Sequence, residues 1–91
     1  MTVTGAVIRE QGVTFGVIAV KLHVVQSDQN TLQMIEECQR LDVFAGIPIV
    51  LMAQDSRGEP IYNCLKRDSD IAKFLASIFV ERIPWKRYTF R

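Results

Sequence analysis

The chain lacks most of the residue arrangements that mark an enzyme or a metal site. It has a single histidine, His23, and its two cysteines, Cys38 and Cys64, stand in no metal-binding or redox spacing. Its five glycines never cluster into a phosphate-binding loop. These absences predict a non-enzymatic protein that has no catalytic residues, no metal site and no cofactor.

Signals for export and for membrane insertion are also missing. The first residues show no basic stretch followed by an apolar one. The longest apolar runs are well short of the roughly 18 residues that span a bilayer. Two cysteines without a disulfide framework fit a reducing compartment. We therefore expect a soluble cytoplasmic protein with no membrane partner.

No excess of one charge draws the whole chain to nucleic acid, because the formal net charge is only +1. The chain has 91 residues, of which 48% are hydrophobic. A domain of this size buries only about 60% of the surface that its unfolded chain exposes. The high apolar content therefore predicts either a well-filled core or an apolar surface kept for a partner.

The first half of the chain predicts two strands and a helix. Residues 2–9 and 13–25 have the β-branched and alternating patterns of strands, joined by a tight turn. Residues 31–41 carry one apolar stripe at helical spacing, and Ser27 or Asn30 can cap this helix.

The second half repeats the order strand, strand, helix. Residues 47–53 are apolar without alternation, as in a strand that is buried on both faces, and residues 60–63 predict a short partner strand. The acids of Asp68-Ser69-Asp70 suit the start of a helix. The apolar stripe of this helix contains Ile71, Phe74, Leu75, Ile78 and Phe79.

The predicted fold is therefore a single small α/β domain, residues 1–81, in the order ββαββα. The second and third strands flank a helix and should be parallel, while the hairpin at each end adds an antiparallel strand. This gives a mixed four-stranded sheet with two helices. Residues 82–91 follow as a separate basic aromatic segment.

Residues 45–79 resemble the C-terminal half of the thioredoxin-like fold. The similarity consists of Gly46-Ile47-Pro48 before a buried strand, a polar turn that ends in Gly58-Glu59, a short strand and an amphipathic helix. In that superfamily the proline is usually cis and lies beside the active site, a place that the resemblance gives to Pro48. The chain has no Cys-x-x-Cys, so the resemblance implies at most an atypical thiol protein.

The better candidate for a reactive thiol is Cys64. Lys66 and Arg67 follow it closely, and nearby cations lower the pKa of a thiol. This hypothesis requires Cys64 to lie beside Pro48. Cys38 instead falls on the apolar stripe of its helix and is expected to be an inert buried residue.

His23 could act as a general base with Lys21 or Asp28 nearby, or it could be a half-exposed histidine at a sheet edge. The paired acids have plainer explanations. Glu36-Glu37 fits a solvated helix face, and Asp68 with Asp70 fits a helix cap.

Basic and aromatic residues alternate at the C-terminus, which contains no acid. The bases are Arg82, Lys86, Arg87 and Arg91, and the aromatic residues are Trp85, Tyr88 and Phe90. Three interpretations fit this pattern: rings that fold back onto the core, a protein interface, or a site for single-stranded nucleic acid.

Phe15, Val17 and Ala19 form a further apolar face on the second strand. If both helices covered the opposite side of the sheet, a second copy of the chain could cover this face. The main hypothesis is thus a small binding or assembly protein, either a homodimer or a partner of another protein. Its expected contact residues are Arg82, Trp85, Lys86, Arg87, Tyr88 and Arg91.

Overall fold

Five strands form one mixed sheet in the residues that the structure, a computed structural model, describes: 2–10 and 12–89. The strands are β1 (Thr2–Glu10), β2 (Val13–Ala19), β3 (Ile49–Gln54), β4 (Pro60–Cys64) and β5 (Lys86–Thr89). Three α-helices accompany them in the same residues: α1 (Leu22–Val25), α2 (Asp28–Cys38) and α3 (Ser69–Ala76). The strand order in the sheet is β4-β3-β2-β1-β5.

The strand pairing follows the hydrophobic pattern of the sequence. β2 and β3 are parallel, with Val17 opposite Val50, and α2 lies between them in the chain. The two hairpins, β1–β2 and β3–β4, are antiparallel. The α/β class and the mixed sheet are therefore confirmed.

The predicted four strands and two helices are wrong in number. β5 is an additional strand, which pairs antiparallel with β1 outside the first hairpin. The resulting strand order does not confirm the thioredoxin-like arrangement. The peptide bond that precedes Pro48 is trans.

The predicted strand 13–25 is also wrong beyond its first part. β2 ends at Ala19, and the N–H of Val20 donates to the carbonyl oxygen of Met52 at 2.8 Å. The chain then turns, and the N–H of Val24 donates to the Lys21 carbonyl oxygen at 3.0 Å as α1 begins. Lys21 and His23 are thus not strand residues.

The boundaries of the two main helices differ from the predicted ones. α2 begins and ends earlier than the predicted residues 31–41, at Asp28 and Cys38. Ser27 caps α2 by accepting a hydrogen bond from the Asn30 N–H at 3.2 Å, as one of the two predicted caps. At α3, Asp68 occupies the N-cap position, as predicted, but its side chain makes no capping hydrogen bond. The same helix ends at Ala76, and Phe79, which was placed on the buried stripe, is 71% exposed.

Helices cover both faces of the sheet, and each face has its own apolar cluster. One cluster, with Ile18, Ile35 and Phe44, lies under α1, α2 and the 3₁₀ turn Asp42–Phe44. The other contains Phe15, Val17, Val50, Leu75 and Ile83 and lies under α3. Phe15 and Val17 are therefore buried within one chain, and they need no second copy to cover them.

Candidate functional site

The C-terminal segment is attached to the domain by buried apolar contacts. Ile83 is only 3% exposed and lies in the same cluster as Leu75 of α3. The Trp85 ring is half-buried in this cluster, and its Nε1 donates to the Val80 carbonyl oxygen at 3.0 Å. These contacts fix the direction in which the chain enters β5.

The side chains of β5 alternate between the two faces of the sheet. The Tyr88 ring packs edge-on against Phe44, with 5.1 Å between the ring centroids. The Lys86 ammonium lies 5.6 Å from the centroid of Tyr88 on the same face. Because successive residues of a strand point to opposite faces, Arg87 projects from the other side.

β5 forms an edge of the sheet. Its neighbour among residues 2–10 and 12–89 is β1, with Gly5 opposite Lys86 and Thr2 opposite Thr89. An edge strand presents a row of backbone N–H and C=O groups toward solvent. This row can pair with an extended segment from another molecule.

The opposite edge, β4, is partly occupied by the chain itself. Pro60 has no backbone N–H, and the N–H of Cys64 donates to Asn63 Oδ1 at 2.9 Å. Asn63 Nδ2 also donates to the Val25 carbonyl oxygen and to Thr31 Oγ1, at 3.0 and 3.1 Å. β5 is thus the more accessible of the two edges.

A groove of about 320 Å³ runs beside β5 on the face that carries Tyr88. Its walls come from β5 and from the loop that follows α2. They contain Arg40, Leu41, Asp42, Val43, Tyr88 and Thr89. Val43 is 44% exposed, so the groove offers apolar surface next to the free strand edge.

The structure separates the predicted contact residues into two groups. Arg82, Lys86 and Arg87 are exposed, while Trp85 and Tyr88 are half-buried and contact the core. The sixth predicted residue, Arg91, lies outside the described residues. No local sequence pattern indicates the groove, because Leu41 and Val43 come from a loop that is distant from β5 along the chain.

Neither cysteine has the environment of a reactive thiol. Burial raises the pKa of Cys64, and the carboxylate of Asp68 raises it further, which is opposite to the predicted lowering by Lys66 and Arg67. Arg67 instead lies 3.6 Å from Asp68. Cys38 is fully buried, as predicted, and burial together with Glu37 raises its pKa to about 11.

The raised thiol pKa of Cys38 predicts that alkaline pH destabilises the fold. The folded state favours the protonated thiol, whereas the unfolded chain releases this proton near pH 9.0. Stability should therefore fall as the pH rises from about 9 to about 11. The loss attributable to this thiol is on the order of 2 kcal/mol. Urea unfolding under reducing conditions across this range measures it.

The matched variant for this experiment is Cys38→Ala. Its stability at neutral pH will be lower, but its decline with pH should be shallower than that of the parent chain. A residual decline is expected from Cys64 and Tyr62, because burial raises the pKa of both. Parallel curves for parent and variant would show that Cys38 contributes nothing to the pH dependence.

The remaining polar candidates are dispersed. His23 is exposed on α1, and the Asp28 carboxylate accepts a hydrogen bond from Asn63 Nδ2 at 3.3 Å. Asp70 is exposed in the first turn of α3. Asp68 is buried, and its Oδ2 has no hydrogen-bond partner among the described residues.

The remaining features of the described residues, and the comparisons with known proteins, assign no further role. Within residues 2–10 and 12–89, no three His, Cys, Asp or Glu side chains are grouped so that they could hold a metal ion. None of the described helices has the length and apolar character needed to cross a membrane. Comparison of the chain with protein-family models, curated proteins and solved structures finds no match.

Proposed function

We propose that this protein is a non-enzymatic binding protein that takes up an extended, acidic segment of a partner protein as an additional strand beside β5. The observation that carries the proposal is the free edge of β5 with exposed bases on it. In strand addition, main-chain hydrogen bonds supply affinity, and pockets for alternate side chains supply specificity.

The charges on β5 favour an acidic partner. Residues 82–89 contain Arg82, Lys86 and Arg87 and no acid. Pairing of β5 with β5 of a second copy would bring like charges together across the strands, which is destabilising. Lysine on an edge strand commonly prevents such self-pairing. An acidic segment is instead attracted to the base on the face to which its acids point, and Arg87 projects from the face opposite Tyr88.

The groove supplies a reason for side-chain selectivity. A strand bound next to β5 would direct every second side chain to the face that carries Tyr88. Leu41 and Val43 offer apolar contacts there. The preferred segment therefore alternates apolar residues with acidic ones.

Two other hypotheses from the sequence have weaker support. Stacking of nucleic-acid bases needs free aromatic faces, but Trp85 and Tyr88 contact the core of the protein. Thiol chemistry at Cys64 needs a lowered pKa, and burial raises it. Each observation weighs against the corresponding alternative.

The test uses a short synthetic peptide in which glutamate and valine alternate. We expect it to bind and to shift the backbone amide signals of residues 86–89 in NMR spectra, with affinity that falls as salt is added. Lys86→Glu with Arg87→Glu should weaken binding by about tenfold or more, equivalent to about 1.4 kcal/mol. Lys66→Glu with Lys73→Glu is the matched control, since both lysines are exposed and the change in net charge is the same.

Three further probes make this test decisive. A peptide with proline at its centre cannot complete the backbone pairing and should lose affinity. A lysine–valine peptide should not bind. Equal binding of the glutamate, lysine and proline peptides would overturn strand addition. Tighter binding of oligothymidylate than of the acidic peptide would overturn the choice of a protein partner, and dimerisation that is lost in Lys86→Glu would replace that partner with a second copy.

A further inference from the structure

A second concave surface lies where β2 ends. This cleft has a volume of about 610 Å³ and is bordered by the start of β1, the end of β2, α1 and Met34 of α2. It exists because the chain leaves the sheet at Ala19 and turns at Lys21 into α1. In open α/β sheets, ligands commonly bind at the carboxyl ends of the parallel strands, and β2 is one of the two parallel strands that flank α2.

The inner surface of the cleft is aliphatic. Val3 is almost completely buried, and the other apolar lining residues are only half-buried, so they leave apolar area open to a ligand. These half-buried residues are Ala19, Val20, Val24 and Met34. A methionine in such a wall can adapt to ligands of different shape, because its side chain is unbranched and flexible.

The polar residues that line the cleft include a single cation. Lys21 supplies an ammonium group, and His23 supplies an imidazole, while Thr2 and Thr4 are the other polar residues that line the cleft. The Thr2 hydroxyl lies 3.3 Å from the hydroxyl of Thr89, with which it shares a hydrogen bond. No carboxylate is present among the described lining residues. The cleft is thus complementary to an anion with an apolar body.

We propose that this cleft binds an amphipathic carboxylate, with its aliphatic chain against the apolar walls and its carboxylate at Lys21 and His23. A single permanent cation matches a monoanion better than a phosphate, which proteins usually bind with arginine forks or several donors. The aliphatic walls favour an alkyl chain over a flat ring. This proposal does not rest on strand addition at β5.

The probe for this inference is octanoate, compared with octanol and octylammonium, which have the same chain length but a neutral or reversed head group. His23 is the only histidine of the chain, so its imidazole protons give one assignable pair of NMR signals. Octanoate is expected to shift these signals in a saturable way. Octanol should bind about fivefold more weakly, and octylammonium should not bind measurably.

Variants at Lys21 test the role of the head group without disturbing the core, because this side chain is exposed. Lys21→Gln should weaken octanoate binding about fivefold, and Lys21→Glu should transfer the preference to octylammonium. Lys66→Glu makes the same charge change on an exposed residue outside the cleft and should leave octanoate binding unchanged. Equal affinity for octanoate and octanol, unaffected by Lys21→Glu, would overturn the proposal, as would an octanoate titration that leaves the His23 signals in place.

Discussion

A chain that ends at Glu81 is expected to be largely unfolded at room temperature. The truncation removes β5, which pairs with β1 along four residue pairs. It also removes the buried Ile83 and the half-buried rings of Trp85 and Tyr88. Each large apolar side chain contributes about 1.5–3 kcal/mol when fully buried. Together these losses approach the roughly 5–14 kcal/mol that stabilises a domain of this size.

Circular dichroism and urea unfolding check this expectation. Point variants measure how much single side chains of the segment contribute to the free energy of unfolding. Ile83→Ala should lower the free energy of unfolding by about 2–5 kcal/mol, because it leaves a cavity in the cluster beneath α3. Arg87→Ala, in the same segment but exposed, should change it by less than about 0.5 kcal/mol. A truncated chain that unfolds cooperatively with nearly the parent stability would contradict this account, because the segment would then contribute little to the stability of the fold.

The order of the first strands and the main helices could be predicted because each pattern has a local cause. Val13, Phe15 and Val17 alternate with smaller or polar residues, and the run Ile49–Ala53 is long enough for a strand but too short for a helix. Since β2 and β3 flank α2, their parallel pairing follows from chain geometry alone.

The end of β2 could not be predicted from periodicity. Leu22 and Val24 extend the strand alternation, but Leu22 and Val25 also fit one turn of a helix. The structure shows the helical turn: β2 makes its last bond to β3 from the N–H of Val20 to the carbonyl oxygen of Met52, and the chain then leaves the sheet. The cleft at Lys21 forms where the chain leaves the sheet, so it could not be predicted from the sequence.

The role of the C-terminal segment was predictable only in part. Its charge marks Lys86 and Arg87 as exposed contact residues, and the structure places both on the surface. Pairing of β5 with β1 joins residues at opposite ends of the chain. A four-residue strand carries too little local pattern to reveal such a partner. The same limit applies to the groove, whose walls come from two separate segments.

The ring of Phe44 packs closely against the backbone of β2 at Gly16. Phe44 is completely buried. A Cβ atom built on Gly16 would lie 2.9 Å from a ring carbon of Phe44 and 2.9 Å from the Cδ1 of Ile49. The absence of a side chain at Gly16 therefore lets the ring of Phe44 rest on β2, from where it also contacts Tyr88 of β5.

Two substitutions at this contact should each be strongly destabilising. The double variant should lose less free energy of unfolding than the sum of the two single losses. Phe44→Ala is expected to cost about 3–5 kcal/mol through loss of buried area and the cavity that remains. Gly16→Ala should cost about 1–3 kcal/mol by overpacking. In the double variant the added methyl group occupies space that the ring has left. The double variant should therefore be about 1 kcal/mol or more stable than the sum of the two single effects would give.

Gly5→Ala provides the matched control for this double-mutant cycle. Its Cβ would lie 2.7 Å from the carbonyl oxygen of Val17 and 2.8 Å from Ile18 Cδ1, so it is destabilising for a reason that does not involve Phe44. Its effect should add to that of Phe44→Ala within about 0.5 kcal/mol. Urea unfolding of the single and double variants measures both couplings. If the cost of Gly16→Ala is the same with and without the Phe44 ring, then the ring does not rest on Gly16, and the packing that positions Tyr88 and β5 must have another origin.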